Sequence, residues 1–425
     1  MDSNQNNPIN ANKDINKNVT ISNKATQQVD RRKRAYALIN SGKTPVVISE
    51  EEFLVPSQYD ENKKYKVNFK DLWSCECPDF KNRCKDNDLY CKHIQSIQVW
   101  LKLRNSFDVE NIDTREEACP NCDSFNIKKD GIRKNKNGSK QRYCCKNCDK
   151  RFVLEQLKYI KANGKDITMS MDLYFKGFSL SDISDHFKQF HNKDIHFDTI
   201  RRWIRKYTKI MNDYTKEHKA DTGSRWHNDE QMVKVGSEWK WNNNLLDSET
   251  RFLLSTHLSK TRTIKDTRTL YQKGKQQSNN LPDEVYTDGL FIYDRAVKKE
   301  FNCKKRYGKP ARDSITHIRN VGIAKLENNN KIERFHGTFR EWDKVKRGFG
   351  NDETLEDWDE AFRLYYNFIK KHMALDGLTP SQIANIELAL GRNRWLGLLK
   401  QSLDYNEKLA KHPNTTENNK NSETP

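Results

Sequence analysis

The cysteines of this chain are gathered at one end, and their distribution limits the folds open to it. Nine of its ten cysteines precede residue 149, and only Cys303 lies later. The N-terminus lacks the apolar core of a signal peptide, and no run approaches the roughly 18 apolar residues of a membrane span. We therefore expect a cytoplasmic protein, in a reducing compartment where clustered cysteines indicate metal sites rather than disulfides. The sequence predicts a metal-stabilised N-terminal half and a cysteine-poor C-terminal half.

The first cysteine cluster has the spacing of a structural zinc site. A C-x-C pair is followed by a C-x-H pair, and the four candidate ligands are Cys75, Cys77, Cys91 and His93. Three thiolates and one imidazole complete a closed tetrahedral set for Zn²⁺. With Pro78, Asp79 and Phe80 after the second cysteine, the spacing resembles the SWIM zinc finger, which we place within residues 45–104. Cys84 lies between the two pairs; it is either an alternative ligand or a spare buried thiol, and we favour the spare thiol.

The second cluster consists of two C-x-x-C pairs separated by a basic stretch. Its candidate ligands are Cys119, Cys122, Cys145 and Cys148. This pattern is typical of a zinc ribbon, here expected over residues 115–155, in which each pair forms a tight knuckle at a hairpin tip. Cys144 competes with Cys145, but only Cys145 leaves the required two-residue gap. Lys134 and Lys136 in the basic stretch are candidates for contacts with DNA phosphates, and the alternative is a solvated hairpin.

Residues 160–212 carry three helical patterns. Gly177 ends the first, Ser179 is suited to cap the second, and Asp198 is suited to cap the third. The third pattern is apolar on one side and basic on the other, and its outward cations would be Arg201, Arg202, Arg205 and Lys206. Three short helices of this kind fit a helix-turn-helix. A generic three-helix bundle is the alternative.

The charge balance favours a polyanionic partner. Lys and Arg outnumber Asp and Glu by 77 to 59, which gives a formal net charge of +18. Double-stranded DNA is the first partner that such an excess predicts, and an acidic membrane surface is the second. A basic but otherwise ordinary enzyme would carry the same excess.

Both ends of the chain have little apolar area to bury. Residues 1–44 form a polar, Asn- and Lys-rich N-terminus, and residues 386–425 hold a C-terminal helix followed by a polar tail. We expect the N-terminus and the tail to be disordered.

From residue 226 the pattern changes to strands and helices in alternation. Predicted strands cover 231–235, 239–246, 251–258 and 284–287, and predicted helices cover 263–276, 291–301 and 328–346. Three antiparallel strands, a helix, a further strand and flanking helices fit an RNase H-like layout over residues 222–385. The predicted fold class is multidomain: an α/β RNase H-like catalytic core preceded by small zinc-binding modules and a helix-turn-helix.

Three acids can converge in this layout. Asp229 lies on or beside the first strand, Asp288 ends the fourth, and Glu333 projects from the long helix. Two Mg²⁺ (or Mn²⁺) ions roughly 3.5–4 Å apart need hard oxygen ligands of this kind to act on a phosphodiester bond. Asp229 is the least anchored of the three, because Glu230 lies next to it.

Several neighbouring residues are given other roles. Arg340 and Lys344 lie 7 and 11 residues after Glu333, so they share its helix face and would grip a DNA phosphate. Asp247 is interpreted as a turn residue and Asp294 as a helix-surface acid. Trp239 and Trp241 alternate at strand period, and we predict that they pack in the core.

The residues around the three acids resemble a known family. The matching stretches are Trp226-x-x-Asp229-Glu230, Tyr286-Thr-Asp288-Gly289, Asn329-x-x-Ile332-Glu-Arg-Phe-His336-Gly-Thr-Phe-Arg340, Arg347-Gly-Phe349, Tyr366-Asn-Phe368 and Gly377-x-Thr-Pro380. They look like DDE transposases of the insertion-sequence six group, and Gln141-Arg-Tyr143 to Phe152 resembles the zinc ribbon that precedes many such domains. The resemblance implies cleavage at the terminal inverted repeats of a DNA element, strand transfer to target DNA, Mg²⁺ and a multimeric assembly. The chain departs from the family in its SWIM-like module and in the long gap between Asp288 and Glu333.

These observations lead to one main hypothesis and two alternatives. The main hypothesis is a prokaryotic transposase that transfers 3′-OH ends, acts as a homodimer or larger oligomer, binds two structural Zn²⁺ ions and associates with the nucleoid when bound to DNA. The first alternative is a non-catalytic, domesticated DNA-binding regulator that depends on zinc. The second alternative is a nuclease without strand transfer.

Overall fold

The structure is a computed structural model. It describes residues 11–70, 72–110, 119, 124, 126–135, 138–152, 162–301, 315–319, 329–346, 349–350 and 352–411. Some positions singled out in the sequence lie outside the described residues, namely Cys122, Lys136, Cys303 and the tail after residue 411.

The N-terminal unit is a four-stranded antiparallel sheet with two helices. Its elements are α1 (Ala11–Asn40), β1 (Val46–Val47), β2 (Glu52–Pro56), β3 (Lys64–Phe69), β4 (Trp73–Cys75) and α2 (Lys92–Glu110). The strand order β1-β2-β3-β4 follows the chain. A π-helical turn at Phe80–Cys84 and a 3₁₀ turn at Lys85–Asn87 connect β4 to α2.

The prediction of a disordered N-terminus is wrong for α1. Ala35 and Leu38 are fully or almost fully buried in the contacts of this helix. The Arg32 guanidinium donates to the carbonyl oxygen of Gln382 at 2.9 Å and pairs with Glu387 at 3.2 Å. Average composition did not reveal this order, because the few apolar residues of α1 lie together and pack against elements that are distant in sequence.

A three-stranded antiparallel unit follows. It consists of β5 (Ile127–Asn135), β6 (Gly138–Cys145) and β7 (Arg151–Phe152), in the order β5-β6-β7. The register of β5 against β6 shifts between Lys129 and Ile132. Because Ile127 pairs with Cys145, the described cysteines lie together at one end of the hairpin.

The next three helices are α3 (Gly164–Phe175), α4 (Leu180–His191) and α5 (Phe197–Lys216). Ser179 caps α4 in a capping box, as predicted. The predicted cap of α5 is wrong, because His196 is the N-cap and its Nδ1 accepts from the backbone N–H of Asp198 at 3.2 Å. Asp198 lies in the first turn instead, where its carboxylate pairs with Arg201 at 2.6 Å.

The C-terminal half is built on a mixed five-stranded sheet. Its strands are β8 (Arg225–Val235), β9 (Glu238–Asp247), β10 (Leu253–Ser259), β11 (Glu284–Thr287) and β12 (Thr316–Arg319). The order is β10-β9-β8-β11-β12, with antiparallel pairs among the first three and parallel pairs from β8 to β12. This mixed sheet fits the predicted RNase H-like core.

Six helices complete the C-terminal half in the described part of the chain. They are α6 (Ile264–Gln277), α7 (Phe291–Phe301), α8 (Asn330–Lys344), α9 (Asp352–Leu364), α10 (Pro380–Ile383) and α11 (Arg394–Lys411). A π-helical turn at Tyr365–Ile369 and a 3₁₀ turn at Met373–Leu375 separate α9 from α10. The predicted helices over 263–276, 291–301 and 328–346 are confirmed within two residues at each end. By contrast, β8 begins six residues before the predicted 231.

One hydrophobic core joins the three-helix unit to the sheet domain. The ring of Phe175 in α3 stacks on Trp342 of α8 and on Trp395 of α11, with ring centroids 5.9 and 5.5 Å apart. Lys346, just after α8, donates to the carbonyl oxygen of Phe178 at 3.0 Å and lies over the Tyr174 ring. The three helices are therefore packed against the helix that carries Glu333.

Among the described residues, no helix combines the length and the apolar character needed to cross a membrane.

Candidate active site and metal centres

The two faces of β8 separate neighbouring side chains. The side-chain amide of Asn228 donates to the Tyr271 hydroxyl of α6 at 3.0 Å, and Oδ2 of Asp229 lies 3.7 Å from Nδ1 of His336 on α8. Successive residues of a strand point to opposite faces. Asp229 therefore faces α8, and the even-numbered residues of β8 face α6 and α7.

Asp288 lies directly after β11, which pairs in parallel with β8. Tyr286 pairs with His227, so Asp288, two residues further on, comes beside Asp229 in the middle of β8. Carboxylate oxygens of Asp229, Glu230 and Asp288 accordingly lie within 4.8 Å of one another. The backbone N–H of Leu290 donates to Oδ1 of Asp288 at 2.9 Å, which holds this carboxylate at the start of α7.

Glu333 is on the first turn of α8 and is exposed. Its side chain is outside the group of three whose oxygens lie within 4.8 Å. It is nevertheless close enough for its charge to act on Asp229. Burial raises the pKa of Asp229 to about 7, and the charges of Glu230, Asp288 and Glu333 add to the effect.

The donor set of this carboxylate group fits a divalent cation. Mg²⁺ and Mn²⁺ prefer hard oxygen ligands, and carboxylates on β8 and directly after β11 supply them. Burial is the main reason for the raised pKa of Asp229, and the neighbouring carboxylates add to it, so a bound cation would stabilise the charged form. Among the described residues, Asp229, Glu230 and Asp288 have oxygens close enough to share one cation.

Glu230 is the member of the group that sequence reasoning did not assign. Its side chain is only 3% exposed, its Oε1 pairs with Nη1 of Arg262 at 2.9 Å, and it accepts a hydrogen bond from the Tyr293 hydroxyl. In the sequence, only its position next to Asp229 indicated that Glu230 could belong to the site. The contacts of Glu230 with Arg262 and Tyr293 were not predictable, because they depend on how α6 and α7 pack on the sheet.

His336 does not neutralise Asp229. Burial lowers the pKa of His336 to about 3, with a further contribution from the positive charge of Arg340. The imidazole is therefore uncharged near neutral pH, and its Nε2 lies 3.4 Å from the side-chain amide of Asn244. Arg340 and Lys344 are exposed on α8 beyond Glu333, as their spacing predicts.

The first cysteine cluster converges on one buried point. The candidate ligand atoms of Cys75, Cys77, Cys91 and His93 all lie within 4.8 Å of one another, and all four residues are buried. Hydrogen bonds that the Cys91 thiol donates to Cys75 and Cys77, together with burial, raise the pKa of this thiol well above its usual range. Three thiolates crowded in this way fit a cation such as Zn²⁺. Cys84 is buried but lies outside this group.

The second cluster contains three described cysteines, Cys119, Cys145 and Cys148. The sulfurs of Cys119 and Cys148 are 3.6 Å apart. A tetrahedral site with Zn–S bonds of about 2.3 Å has edges of about 3.8 Å, so this spacing fits zinc. Cys144 is buried outside the group, and its thiol lies 3.7 Å from the carbonyl oxygen of Cys145. The fourth predicted ligand, Cys122, lies outside the described residues.

The predicted DNA-binding side chains of α5 are all exposed. Arg201 and Arg202 pair with Asp198, and Arg205 pairs with Asp357 of α9 at 2.7 Å. Lys206 lies over the Tyr207 ring with its Nζ 5.3 Å from the centroid. In the ribbon hairpin, the backbone of Lys134 pairs with Ser139 across β5 and β6.

Two predictions outside the site need correction. Trp239 is 59% exposed rather than packed in the core. It lies at the start of β9, which α6 does not cover. Asp247 does precede the predicted turn, but it is fully buried. Its carboxylate accepts hydrogen bonds from the backbone of Thr250 at 2.7 Å and of Gly223 at 3.0 Å.

Two proteins of known sequence are similar to this chain. An uncharacterized protein of Methanocaldococcus jannaschii is 26% identical over 223 residues, which cover 50% of this chain and 92% of that protein. An uncharacterized 48.3 kDa protein of insertion element ISM1 from Methanobrevibacter smithii is 26% identical over 305 residues, which cover 65% of this chain and 72% of that protein.

Two solved structures are distantly similar. A chain of the simian T-cell lymphotropic virus intasome, solved with the PP2A regulatory subunit B56 gamma, has 12% identity and a TM-score of 0.29. The match covers 39% of this chain and 56% of that chain, so this chain spans just over half of its length. The HTLV-2 integrase catalytic core domain in complex with magnesium has 13% identity and a TM-score of 0.27, and the match covers 39% of this chain and 99% of that one.

The family comparison falls on the sheet domain. Residues 223–372 match the DDE domain model of the DDE_Tnp_IS240 family. This stretch contains Asp229, Asp288 and Glu333 together with β8 to β12. The DDE domain and the insertion-element relative together support a DDE transposase.

Proposed function

We propose that this chain is a transposase of the insertion-sequence six group. It binds the ends of its own DNA element, cleaves phosphodiester bonds there and transfers the 3′-OH ends to target DNA. The observation that carries the proposal is the convergence of the carboxylates of Asp229, Glu230 and Asp288 within the segment that matches a DDE domain, with Glu333 of α8 near enough for its charge to act on Asp229.

Asp229, Asp288 and Glu333 are the proposed ligands of two Mg²⁺ or Mn²⁺ ions. When bound, such ions activate the attacking oxygen and stabilise the leaving oxygen of an in-line displacement. Asp229 is preferred over Glu230 as the first ligand, because Asp229 faces α8 and Glu230 already pairs with Arg262 and Tyr293. Arg340 and Lys344, exposed on the same helix as Glu333, would hold the phosphate next to the scissile bond.

DNA recognition is proposed for the N-terminal half. The exposed cations of α5 and the basic hairpin of β5 and β6 would contact phosphates and groove edges of the element ends. The two cysteine clusters would each hold a structural Zn²⁺. Because Phe175 of α3 packs on Trp342 of α8, the position of the three helices α3 to α5 on DNA would also fix the position of Glu333.

Transposition requires that both ends of the DNA element are bound and cleaved in one complex, so the proposal includes a homodimer or larger oligomer. The protein would act in the cytoplasm on double-stranded DNA of the nucleoid.

A cleavage assay tests the proposal. The protein is incubated with Mg²⁺ and a DNA duplex that carries the inverted repeats flanking its gene, and the nicked and joined products are resolved by electrophoresis. Asp288→Ala and Glu333→Gln are expected to abolish both products, because each removes a metal ligand. The matched controls are Asp294→Ala, a partly exposed acid of α7 outside the carboxylate group, and Glu341→Gln, an exposed acid of α8, and both should retain activity.

Products that form without a divalent metal, or that survive Asp288→Ala, would rule out the proposed chemistry. Metal-dependent nicking without joined products would reduce the proposal to a nuclease. DNA binding without either product would leave a DNA-binding regulator.

A further inference from the structure

The carboxylate group lies between two partly exposed aromatic side chains, each joined to an arginine. On one side, the guanidinium carbon of Arg262 lies 4.2 Å from the ring centroid of Trp241. On the other side, the guanidinium carbon of Arg319 lies 5.0 Å from the ring centroid of Phe291. We call these the indole stack and the phenyl stack.

Strand order puts the carboxylates between the stacks. Trp241 is on β9 and Arg319 is on β12, whereas the acids are on or after β8 and β11, the two strands between them. Each arginine also binds the segment that carries an acid. Arg262 pairs with Glu230 at 2.9 Å, and Arg319 donates to the carbonyl oxygen of Gly289, next to Asp288.

The indole stack continues onto an uncovered part of the sheet. Trp241 pairs directly with Met232, so both face the same side as Glu230. Further along β9, Leu245 is buried against Gly274 of α6, but Met232 is 45% and Trp239 is 59% exposed. The face opens because α6 begins only at Ile264, next to Arg262.

The phenyl stack is exposed for a similar reason. Phe291 is the first residue of α7, three positions after Asp288, and is 78% exposed. Because Tyr293 of the same helix donates to Glu230, α7 covers the same sheet face as α6. Both stacks thus lie on the sheet face of Glu230, whose carboxylate is within 4.8 Å of those of Asp229 and Asp288.

We propose that the two stacks bind unpaired DNA bases on either side of the scissile phosphate. This inference rests on the proposed function, since it assumes that DNA is cut at the carboxylates. Aromatic faces and guanidinium groups stack on any base, and the exposed Lys234, Lys260 and Arg262 beside the indoles complement a phosphate backbone. The distance also fits: Met232 is two residues beyond Glu230, about 7 Å at strand rise, which is about two steps of 3.4 Å along a DNA strand.

A second copy of this chain is the competing occupant of the exposed aromatic face. Large exposed apolar side chains also mark protein interfaces. Aromatic residues and arginine are common to both kinds of interface. Single-stranded DNA is favoured here because the aromatic groups lie next to acids that suit a metal and beside the exposed Lys234 and Lys260, and lysine is depleted at protein interfaces.

Binding of labelled oligonucleotides tests the proposal without relying on cleavage. Fluorescence anisotropy is measured for single-stranded oligothymidylate and for a blunt duplex of equal length, with no divalent metal added. Trp239→Ala and Phe291→Ala are each expected to weaken single-strand binding about fivefold or more and to leave duplex binding unchanged. Trp239→Phe keeps an aromatic face and should retain most of the affinity, and it serves as the folding control.

Leu281→Ala is the matched control. Leu281 is 59% exposed and precedes β11, at the opposite end of that strand from Asp288. This variant should leave both affinities unchanged. Because no metal is added, these results stand even if the cleavage assay fails.

Three results would overturn the proposal. The first is unchanged single-strand affinity in both alanine variants. The second is an equal loss on the two probes. The third is a lower mass of Trp239→Ala by analytical ultracentrifugation with single-strand affinity intact, which would assign the face to a second copy of the chain.

Discussion

The pair of Arg262 and Glu230 gives a quantitative test of the carboxylate group. Glu230 has a side chain that is 3% exposed, and Arg262, which is 37% exposed, is its cationic partner at 2.9 Å. Removing one member of a fully buried pair costs about 3–5 kcal/mol. Water and the Tyr293 hydroxyl can replace part of the interaction here, so we expect Arg262→Ala to lower the free energy of unfolding by about 1–3 kcal/mol.

The same substitution should strengthen the response to metal. Without Arg262, the negative charge of Glu230 adds to that of Asp229 and Asp288, whose oxygens lie within 4.8 Å of it. A cation bound there would replace the lost positive charge. A ligand at 100 times its dissociation constant stabilises a protein by about 2.7 kcal/mol, so tighter binding by the variant would restore much of the loss.

Thermal unfolding with and without Mg²⁺ measures both effects. Each kcal/mol corresponds to a shift in melting temperature of about 2–4 °C for a domain of this size. Mildly alkaline buffer is required because burial raises the pKa of Glu230, and a protonated carboxyl would not need Arg262. We expect Arg262→Ala to melt several degrees lower without metal and to gain more from Mg²⁺ than the wild-type protein.

Arg268→Ala is the matched control. Arg268 is 40% exposed and pairs at 3.1 Å with Glu300, which is 6% exposed and lies outside the carboxylate group. The melting temperature of Arg268→Ala should rise with Mg²⁺ by the same amount as that of the wild-type protein. If Arg262→Ala and Arg268→Ala gained equally from Mg²⁺, the idea that Glu230 belongs to a metal site would be wrong.

Two further predictions concern zinc and pH. Cys91→Ser should lower the zinc content by one ion per chain, measured by atomic emission, whereas the buried Cys84→Ser should not; equal zinc loss in both would contradict the ligand assignment. Burial raises the pKa of Asp359 to about 7, so this group binds its proton more tightly in the folded state, and its contribution to stability is lost as pH rises towards 7. Asp359→Asn keeps an oxygen that accepts from Asn242. Because the variant does not titrate, its free energy of unfolding in urea should rise by about 2–3 kcal/mol relative to that of the wild-type protein between about pH 5 and about pH 8. A difference in free energy that does not change with pH would refute this.

The sequence by itself determined the features that depend on local spacing. Helix and strand periods predicted α6, α7, α8 and β11 closely, because these elements bury a face that repeats along the chain. Cys75, Cys77, Cys91 and His93 converge as their spacing predicts. Each pair of ligands is close in sequence, and the two pairs lie at the end of β4 and the start of α2, so few other arrangements of these four side chains are possible.

Only the tertiary structure decided which distant groups meet. The order of α1 depends on contacts of Arg32 with Gln382 and Glu387, and no local pattern contains such contacts. The distinction between Asp229 and Glu230 likewise required knowing which helix covers each face of β8. Sequence periods specify which face of an element is buried, but the partner is set by strand order and helix packing, which bring together residues hundreds of positions apart. The neighbourhood of Asp229 and Asp288 was therefore predictable, whereas the part of Glu230 in the group and the arginine, tyrosine and aromatic surroundings were not.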